Sequence, residues 1–295
     1  MSDFQVLLYY KYVSIDEPHQ LAELQRTICN HLGLTGRILI AEEGINGTVE
    51  GTITSTEAYA RELLSDSRFS DIHIKRSAGT GHAFNKLKIK VRPEIVGTHF
   101  PAAVNPSEQT SPHISAEALH ELIRSDQKIH IIDMRNDYEF KIGCFKNSIS
   151  PTLKNSRDLT AVVQQLQHLK NEKIVTVCTG GVRCEKMSAY LLHEGFTDVS
   201  QLHGGIVTYM EKYPNQDFKG KLYVFDNRIS IGFETDSPEH EIITQCEHCG
   251  AKSDNYVNCS DTACHRQQII CEACVHGGNT VCVHGCEIKQ KAHNH

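Results

Sequence analysis

The chain has 295 residues, of which 39% are hydrophobic and 22% charged, which is more than one ordinary domain and enough apolar material for two or three globular cores. A formal net charge of −6 excludes a generally basic nucleic-acid binder, so any RNA contact has to come from a local patch. The opening stretch, MSDFQVLLYYKYV, is too short in its apolar run to cross a bilayer. It also lacks the basic start and small-residue cleavage site of a secretory signal, so a cytoplasmic protein without membrane contact is expected.

Residues 1–97 alternate strand and helix patterns: FQVLLYYKYV, the helical LAELQRTICNHLG, the strands RILIA and GTVEG around EEGIN, the helical TEAYARELLS, then IHIKR and LKIKV. The order βαββαβ is that of a ferredoxin-like or acylphosphatase-like α+β domain. Asn46-Gly47 is a tight-turn signal, which gives EEGING the task of shaping a hairpin. From Ile72 to Pro93 there is no acidic residue, while Lys75, Arg76, Lys86, Lys88, Lys90 and Arg92 all occur. If KLKIKVR is a strand, Leu87, Ile89 and Val91 face the core and Lys86, Lys88, Lys90 and Arg92 line the other face. Such a stripe of one sign can hold phosphates without reading sequence; the alternative is a solvated strand face. These six cations are the candidate RNA-binding residues.

Residues 98–112, with Pro101, Pro106 and Pro112 among small and polar neighbours, are expected to be a linker. A second domain is expected over 113–220, beginning with the helix ISAEALHELIRS opened by Ser115 and the strand IHIID ending at Asp133. The run IVTV then delivers Cys178 to the end of a buried strand, and the loop Thr179, Gly180, Gly181, Val182, Arg183 leads into a helical pattern. Backbone N–H groups of such a loop and the positive end of the following helix favour a thiolate. Gly180 and Gly181 permit close approach, and Arg183 adds a fixed positive charge. Cys178 is therefore the candidate nucleophile and Arg183 its charged partner, against the alternative of a packed structural cysteine. Cys184 can pair with an oxidised Cys178 or simply pack in the helix, while Cys29 and Cys144 are expected to be packing residues.

From residue 221 a two-strand pattern, KLYVFD and RISIGFE joined by Asn227, leads to eight of the chain's 12 cysteines. They are spaced Cys246-x2-Cys249, Cys259-x4-Cys264, Cys271-x2-Cys274 and Cys282-x3-Cys286. Close pairs of this kind suit two tetrahedral zinc ions in closed, structural sites, joined either crosswise or in sequence, with His248, His265, His276 and His284 able to replace individual thiolates. Unligated thiols or an iron–sulfur cluster are the alternatives. No flavin or nicotinamide fingerprint is visible.

Arg183 lies five positions after Cys178, which is shorter than the cysteine-phosphatase loop and resembles that of rhodanese-like sulfurtransferases. MRNDYEFKIGCF, with Asp133, Arg135 and Glu139, resembles the first rhodanese signature and LHGGI (202–206) the second. The resemblance implies a parallel sheet with helices on both faces. Taken with GRILIAEEGINGTVEG, KLKIKVRPEIVG, CTGGVRCEKMSAYL, KLYVFDNRISI and the Cys-rich end, the chain is similar to the rhodanese-domain tRNA uridine hydroxylase family. That implies oxygen-dependent hydroxylation of carbon 5 of the wobble uridine, with Cys178 essential, tRNA as partner and dioxygen as co-substrate. Asp226 and Arg228 match a family motif without an assigned role. Two other readings compete: a sulfurtransferase carrying a persulfide on Cys178, for which the loop alone suffices, and a non-enzymatic zinc adaptor, which would not need that loop. No protein partner is expected.

Overall fold

The computed structural model describes residues 2–98, 104–151, 154, 158–261, 264 and 266–282. The N-terminal part runs β1 (Phe4–Tyr12), α1 (Pro18–His31), β2 (Thr35–Ala41), β3 (Gly44–Thr52), α2 (Ile53–Ser65), β4 (Lys75–Ala78) and β5 (Leu87–Val91). Its five-stranded sheet has the order β4-β1-β3-β2-β5, the expected α+β layering with the last two strand segments at opposite edges. Leu7, Tyr9, Ile38, Ile40, Val49 and Ile89 alternate onto one face and pack against Leu21, Cys29, Tyr59 and Leu63 of the two helices. Thr52 caps α2 by accepting from the Ser55 N–H at 3.2 Å.

The other face of that sheet carries no helix, and its cross-strand rows can be read from the register. Lys75, Leu8, Thr48, Arg37 and Lys88 form one row, and Tyr10, Asn46, Leu39 and Lys90 the next. The hairpin between β2 and β3 turns at Glu42–Glu43, since Ala41 pairs with Gly44. Asn46-Gly47 therefore lies inside a strand and not at the turn. Packing overrides the local signal there: a Cβ on Gly47 would fall 2.2 Å from the Tyr9 ring, which crosses the strand at that point.

The second part runs β6 (His113–Ile114), α3 (Ala116–Arg124), β7 (His130–Asp133), α4 (Asp137–Ile142), β8 (Gly143–Phe145), α5 (Leu159–Leu166), β9 (Lys173–Val177), α6 (Val182–His193), β10 (Asp198–Leu202) and α7 (Gly205–Lys212). Four parallel strands in the order β6-β10-β9-β7 form its sheet. Two apolar clusters flank it, one built on Ile132, Ile174, Met187 and Leu191, the other on Val175, Val177, Leu202 and Ile206, so helices cover both faces as expected. Ser115 caps α3 through the Ala118 N–H at 3.2 Å. The segment before β6 is more than a tether. Ser111 is buried, and the Gln201 side chain donates to its carbonyl at 3.1 Å.

The rest comprises β11 (Phe218–Gly220), paired with β8, the hairpin β12 (Leu222–Tyr223) and β13 (Ser230–Ile231), the hairpin β14 (Tyr256–Asn258) and β15 (Gln267–Ile269), and α8 (Glu272–His276). Tyr223, Tyr256 and Ile269 pack on Ile142 of α4, so the Cys-rich end is seated on the second domain. Among the described residues no helix is long and apolar enough to cross a membrane.

Candidate active site

Cys178 sits where β9 ends and α6 has not begun, with 0% of its surface exposed. The Gly181 N–H donates to its sulfur at 3.2 Å. Burial by itself would push the thiol up, but the Cys184 S–H, the Arg183 guanidinium and the backbone N–H groups of Cys184 and Gly181 outweigh it and hold the thiol below its ordinary 9.0. Cys184 is driven the other way, by burial and by its bond to the Cys178 sulfur. The pair therefore loses its first proton from Cys178.

Two glycines make the loop possible. Gly181 has φ +106, closed to most side chains, and a Cβ there would meet the Tyr10 hydroxyl at 2.5 Å. Gly205, at φ +73, would strike the Gly180 backbone at 2.7 Å. That close approach lets the first N–H groups of α7 close the loop from below, Ile206 N–H donating to the Cys178 carbonyl at 2.9 Å and Val207 N–H to that of Thr179 at 3.1 Å.

Arg183 does not point freely at the thiol. Its two terminal nitrogens fork onto Glu139 at 2.6 and 2.7 Å, and one also reaches Thr179 Oγ1 at 3.2 Å. Burial works to raise the Glu139 carboxyl, but the Arg183 charge and hydrogen bonds hold it below its ordinary 4.5. Arg183 is accordingly a positioning residue that fixes the loop and lends part of its charge to the sulfur. Arg135 and Asp133 form a second, fully buried fork at 2.7 and 2.9 Å, and Arg135 also donates to the Gly143 carbonyl at 2.6 Å. This pair ties β7 to the end of α4 and leaves Glu139 where Arg183 can meet it.

The helix-free face of the N-terminal sheet leans over the loop. Tyr12 donates to the Val182 carbonyl at 3.1 Å and Tyr10 to Glu185 at 3.0 Å. Lys186 of α6, itself buried, bonds Glu43 at 2.9 Å and Glu94 at 2.7 Å. Glu185 also accepts from Thr110 and Gln201 at 2.9 Å and meets His113 at 2.9 Å. Between the two domains lies a cavity of about 300 Å³, with Cys178, Thr179, Gly180, Val182 and Arg183 on one side and Leu8, Tyr10, Arg37, Asn46 and Thr48 on the other. This is large enough for a small ligand. A larger concavity of about 800 Å³, bounded by Asp16, Glu17, Glu42 and Arg92, has no cysteine in its lining.

Of the six candidate tRNA-binding cations, Lys86, Lys88, Lys90 and Arg92 are exposed on or beside β5. Lys75 and Arg76 lie across the sheet on β4, so the six do not form one stripe. Lys75 differs from the other candidates: it is only 7% exposed, because the second domain, with Cys178 and Glu185, lies over the face of β4 that carries it. Its ammonium lies 5.0 Å from the centre of the Tyr10 ring, and burial pushes it down to about 8 against the pull of Cys178 and Glu185. Arg76 is exposed but forked onto Glu57 at 2.7 and 3.0 Å. Arg37, a residue outside the expected set, lies beside Lys88 on the same face and on the cavity wall. The sequence hid it inside the apolar run RILIA; only the pairing of β2 with β5 brings it to this row.

At the C-terminal end, the sulfurs of Cys246, Cys249, Cys271 and Cys274 converge, as do those of Cys259, Cys264 and Cys282, all within 4.8 Å in each group. The first pair joins the third, which is the crosswise arrangement. Separations of 3.6 Å for Cys249–Cys271 and 3.5 Å for Cys264–Cys282 come close to the roughly 3.8 Å edge of a tetrahedron with ~2.3 Å metal–sulfur bonds. The groups thus fit metal ions. Cys286, His265 and His284 lie outside the described residues.

The thiolate has a direct optical signature. In the ultraviolet difference between the wild type and Cys178→Ser, thiolate absorbance is expected to titrate with a midpoint below 9.0, the proton being lost earlier than from a free cysteine. A midpoint at or above that value would mean burial wins over Arg183 and the loop N–H groups.

Three family models match in series: the UPF0176 acylphosphatase like domain over residues 4–95, the rhodanese-like domain over 115–212 and the rhodanase C-terminal region over 219–287. A tRNA uridine(34) hydroxylase of Cytophaga hutchinsonii is 41% identical over 287 residues, 97% of this chain and 91% of that protein. One of Oceanobacillus iheyensis is 42% identical over 289 residues, 97% of this chain and 88% of that protein. Likeness of that degree, running through both domains, the thiolate loop and the Cys-rich end alike, makes this chain a member of the tRNA uridine(34) hydroxylase family.

Proposed function

We propose that the chain hydroxylates carbon 5 of the wobble uridine of tRNA, with Cys178 as nucleophile and dioxygen as co-substrate. The observation that carries this reading is the cavity, which places a thiolate against a wall whose outer reach is cationic. Its size suits a single base, and Arg37, Lys88 and Lys90 on the same sheet face suit the phosphates around it.

The chemistry follows from the thiolate. Attack of the Cys178 sulfur on carbon 6 opens the 5,6 double bond and makes carbon 5 an enolate carbon. Dioxygen takes up that electron pair, bonding one oxygen to carbon 5, and a two-electron reductant cleaves the resulting peroxide to hydroxyl and water. Loss of the carbon 5 proton and expulsion of the thiolate restore the ring. Arg183 and the Gly181 N–H hold the sulfur as a thiolate at the start and as a leaving group at the end.

Nucleoside analysis of tRNA from cells with and without the protein, grown under labelled dioxygen, tests the reading. The expected result is 5-hydroxyuridine carrying one labelled oxygen, present only with the protein. Gain of sulfur instead would select the sulfurtransferase alternative.

The basic face supports tRNA binding. Replacing Lys86, Lys88, Lys90 and Arg92 by Gln or Ser is expected to weaken tRNA binding by on the order of tenfold or more and to flatten its salt dependence. Unchanged affinity in a salt titration would move the RNA site elsewhere.

The two thiolate groups are read as structural zinc sites, about two ions per chain, with Cys286 completing the second. Four protein ligands leave no position for substrate. The Cys-rich end packs on α4, where Tyr256 donates to the Tyr138 carbonyl at 2.7 Å next to Glu139. Elemental analysis is expected to find about two zinc ions, and Cys246→Ser about one, with a lower melting temperature. A metal-free protein of unchanged stability would contradict this.

A further inference from the structure

Phe225 is one of the few large apolar side chains left open among the described residues, at 49% exposed. It lines the Cys178 cavity together with Phe84, Thr179 and Arg183. The Arg183 guanidinium lies 5.9 Å from its ring centre, and Tyr223 meets it edge-on at 5.4 Å. The ring is thus fixed by its neighbours while half its surface stays free.

The backbone beneath the ring is built to hold it. Val224 N–H donates to the Ile229 carbonyl at 2.8 Å and Ile229 N–H to that of Asp226 at 3.0 Å, closing a tight turn. Ile229 has φ +63, a conformation a β-branched residue adopts only under strain held by its surroundings. Arg228 forks onto Asp226 at 2.9 and 2.6 Å and reaches Ser77 Oγ at 2.9 Å and the Ala78 carbonyl at 2.8 Å. The Asn227 N–H donates to the Ala83 carbonyl at 2.9 Å, and its side chain to that of His82 at 2.8 Å. The turn bearing Phe225 is thereby tied to the connection that carries Phe84. Two aromatic rings from different domains are set on one cavity by a single hydrogen-bonded clamp, which gives Asp226 and Arg228 a role.

We propose that Phe225 is the platform on which the target base stacks once it has left the anticodon loop, with Phe84 as the second apolar wall. This rests on the reading that Cys178 modifies a base in this cavity. A base pulled from its neighbours loses stacking, and an exposed, immobilised ring beside the nucleophile replaces it without an ordering cost. The ring also sets the plane of the base, and so the face offered to the sulfur.

The test compares the full-length wild type with Phe225→Ala, Phe225→Leu, Phe225→Tyr and Cys178→Ser on whole tRNA. For Ala and Leu, kcat/KM for 5-hydroxyuridine formation is expected to fall about 5- to 150-fold, the range of one lost base–aromatic stack. Tyr should stay within about threefold of wild type, since it restores the ring. The Cys178 thiolate titration should not move in any Phe225 variant, which a merely structural role through Arg183 would change. Equal rescue by Leu and Tyr, or an Ala variant within about twofold of wild type, overturns the proposal while leaving the Cys178 reading intact if Cys178→Ser is inactive. Turnover by Cys178→Ser would overturn the reading beneath it, and the proposal with it. Should the Ala variant fail to fold, the Leu-against-Tyr comparison decides.

Discussion

Cys178→Ser is expected to abolish 5-hydroxyuridine formation, a loss of about 10⁴-fold or more, while leaving stability and the metal content unchanged. The loop that delivers the sulfur is held by backbone donors from Gly181, Ile206 and Val207 and by the Arg183–Glu139 fork. Apart from the Gly181 N–H and the thiol and backbone N–H of Cys184, which bond the sulfur itself, these supports do not need it. A hydroxyl occupies the same place but is not ionised in the working pH range, so it cannot attack carbon 6. The measurement is single-turnover nucleoside analysis beside a denaturant titration of the same protein. Full turnover by a folded Cys178→Ser variant would remove the nucleophile from the account.

Glu139→Ala is expected to cost about 3–5 kcal/mol of stability, the range for removing one partner of a buried ion pair. Both side chains are almost wholly buried, 7% exposed for Arg183 and 0% for Glu139, and the guanidinium would be left without its counter-ion. The effect on the thiol has the opposite sign. An unneutralised Arg183 attracts the thiolate more strongly, so the Cys178 titration should move further below 9.0 even as the protein weakens. Arg183→Lys keeps the charge and loses the fork, so partial activity is expected. The pair also sets an acid limit. The Glu139 carboxyl is depressed in the folded protein, so its contribution is complete above its ordinary 4.5 and is lost as pH falls through its lower folded value. Denaturant titrations of the two variants at neutral and acid pH check both the magnitude and the sign.

The local features of this chain were legible because they rest on short-range rules. Alternation in KLKIKVR put Leu87 and Ile89 inward and the lysines outward, as β5 has them. Ser115 opened a helix, and a β-branched run set Cys178 at a strand end before a glycine loop. What was not legible depends on pairing between distant segments. Arg37 reached the site only through the parallel pairing of β2 with β5. Lys75 became buried because the second domain covers β4, and Arg183 lost its freedom because α4 presents Glu139 to it. Asn46-Gly47 misled because the Tyr9 ring needs the space of a glycine within a strand. The crosswise grouping of cysteines likewise follows from how β14 and β15 fold back, which spacing leaves open.

The most direct test of the central claim uses a tRNA with 5-fluorouridine at the wobble position. Fluorine replaces the carbon 5 hydrogen, so once carbon 5 has taken up oxygen there is no proton to lose there and the thiolate on carbon 6 cannot leave by the normal route. Mass spectrometry of the peptide spanning residues 174–183 is expected to find Cys178 carrying the modified nucleotide, with no adduct on the Cys178→Ser protein. An unmodified Cys178 under conditions where ordinary tRNA is hydroxylated would contradict nucleophilic attack by this thiol.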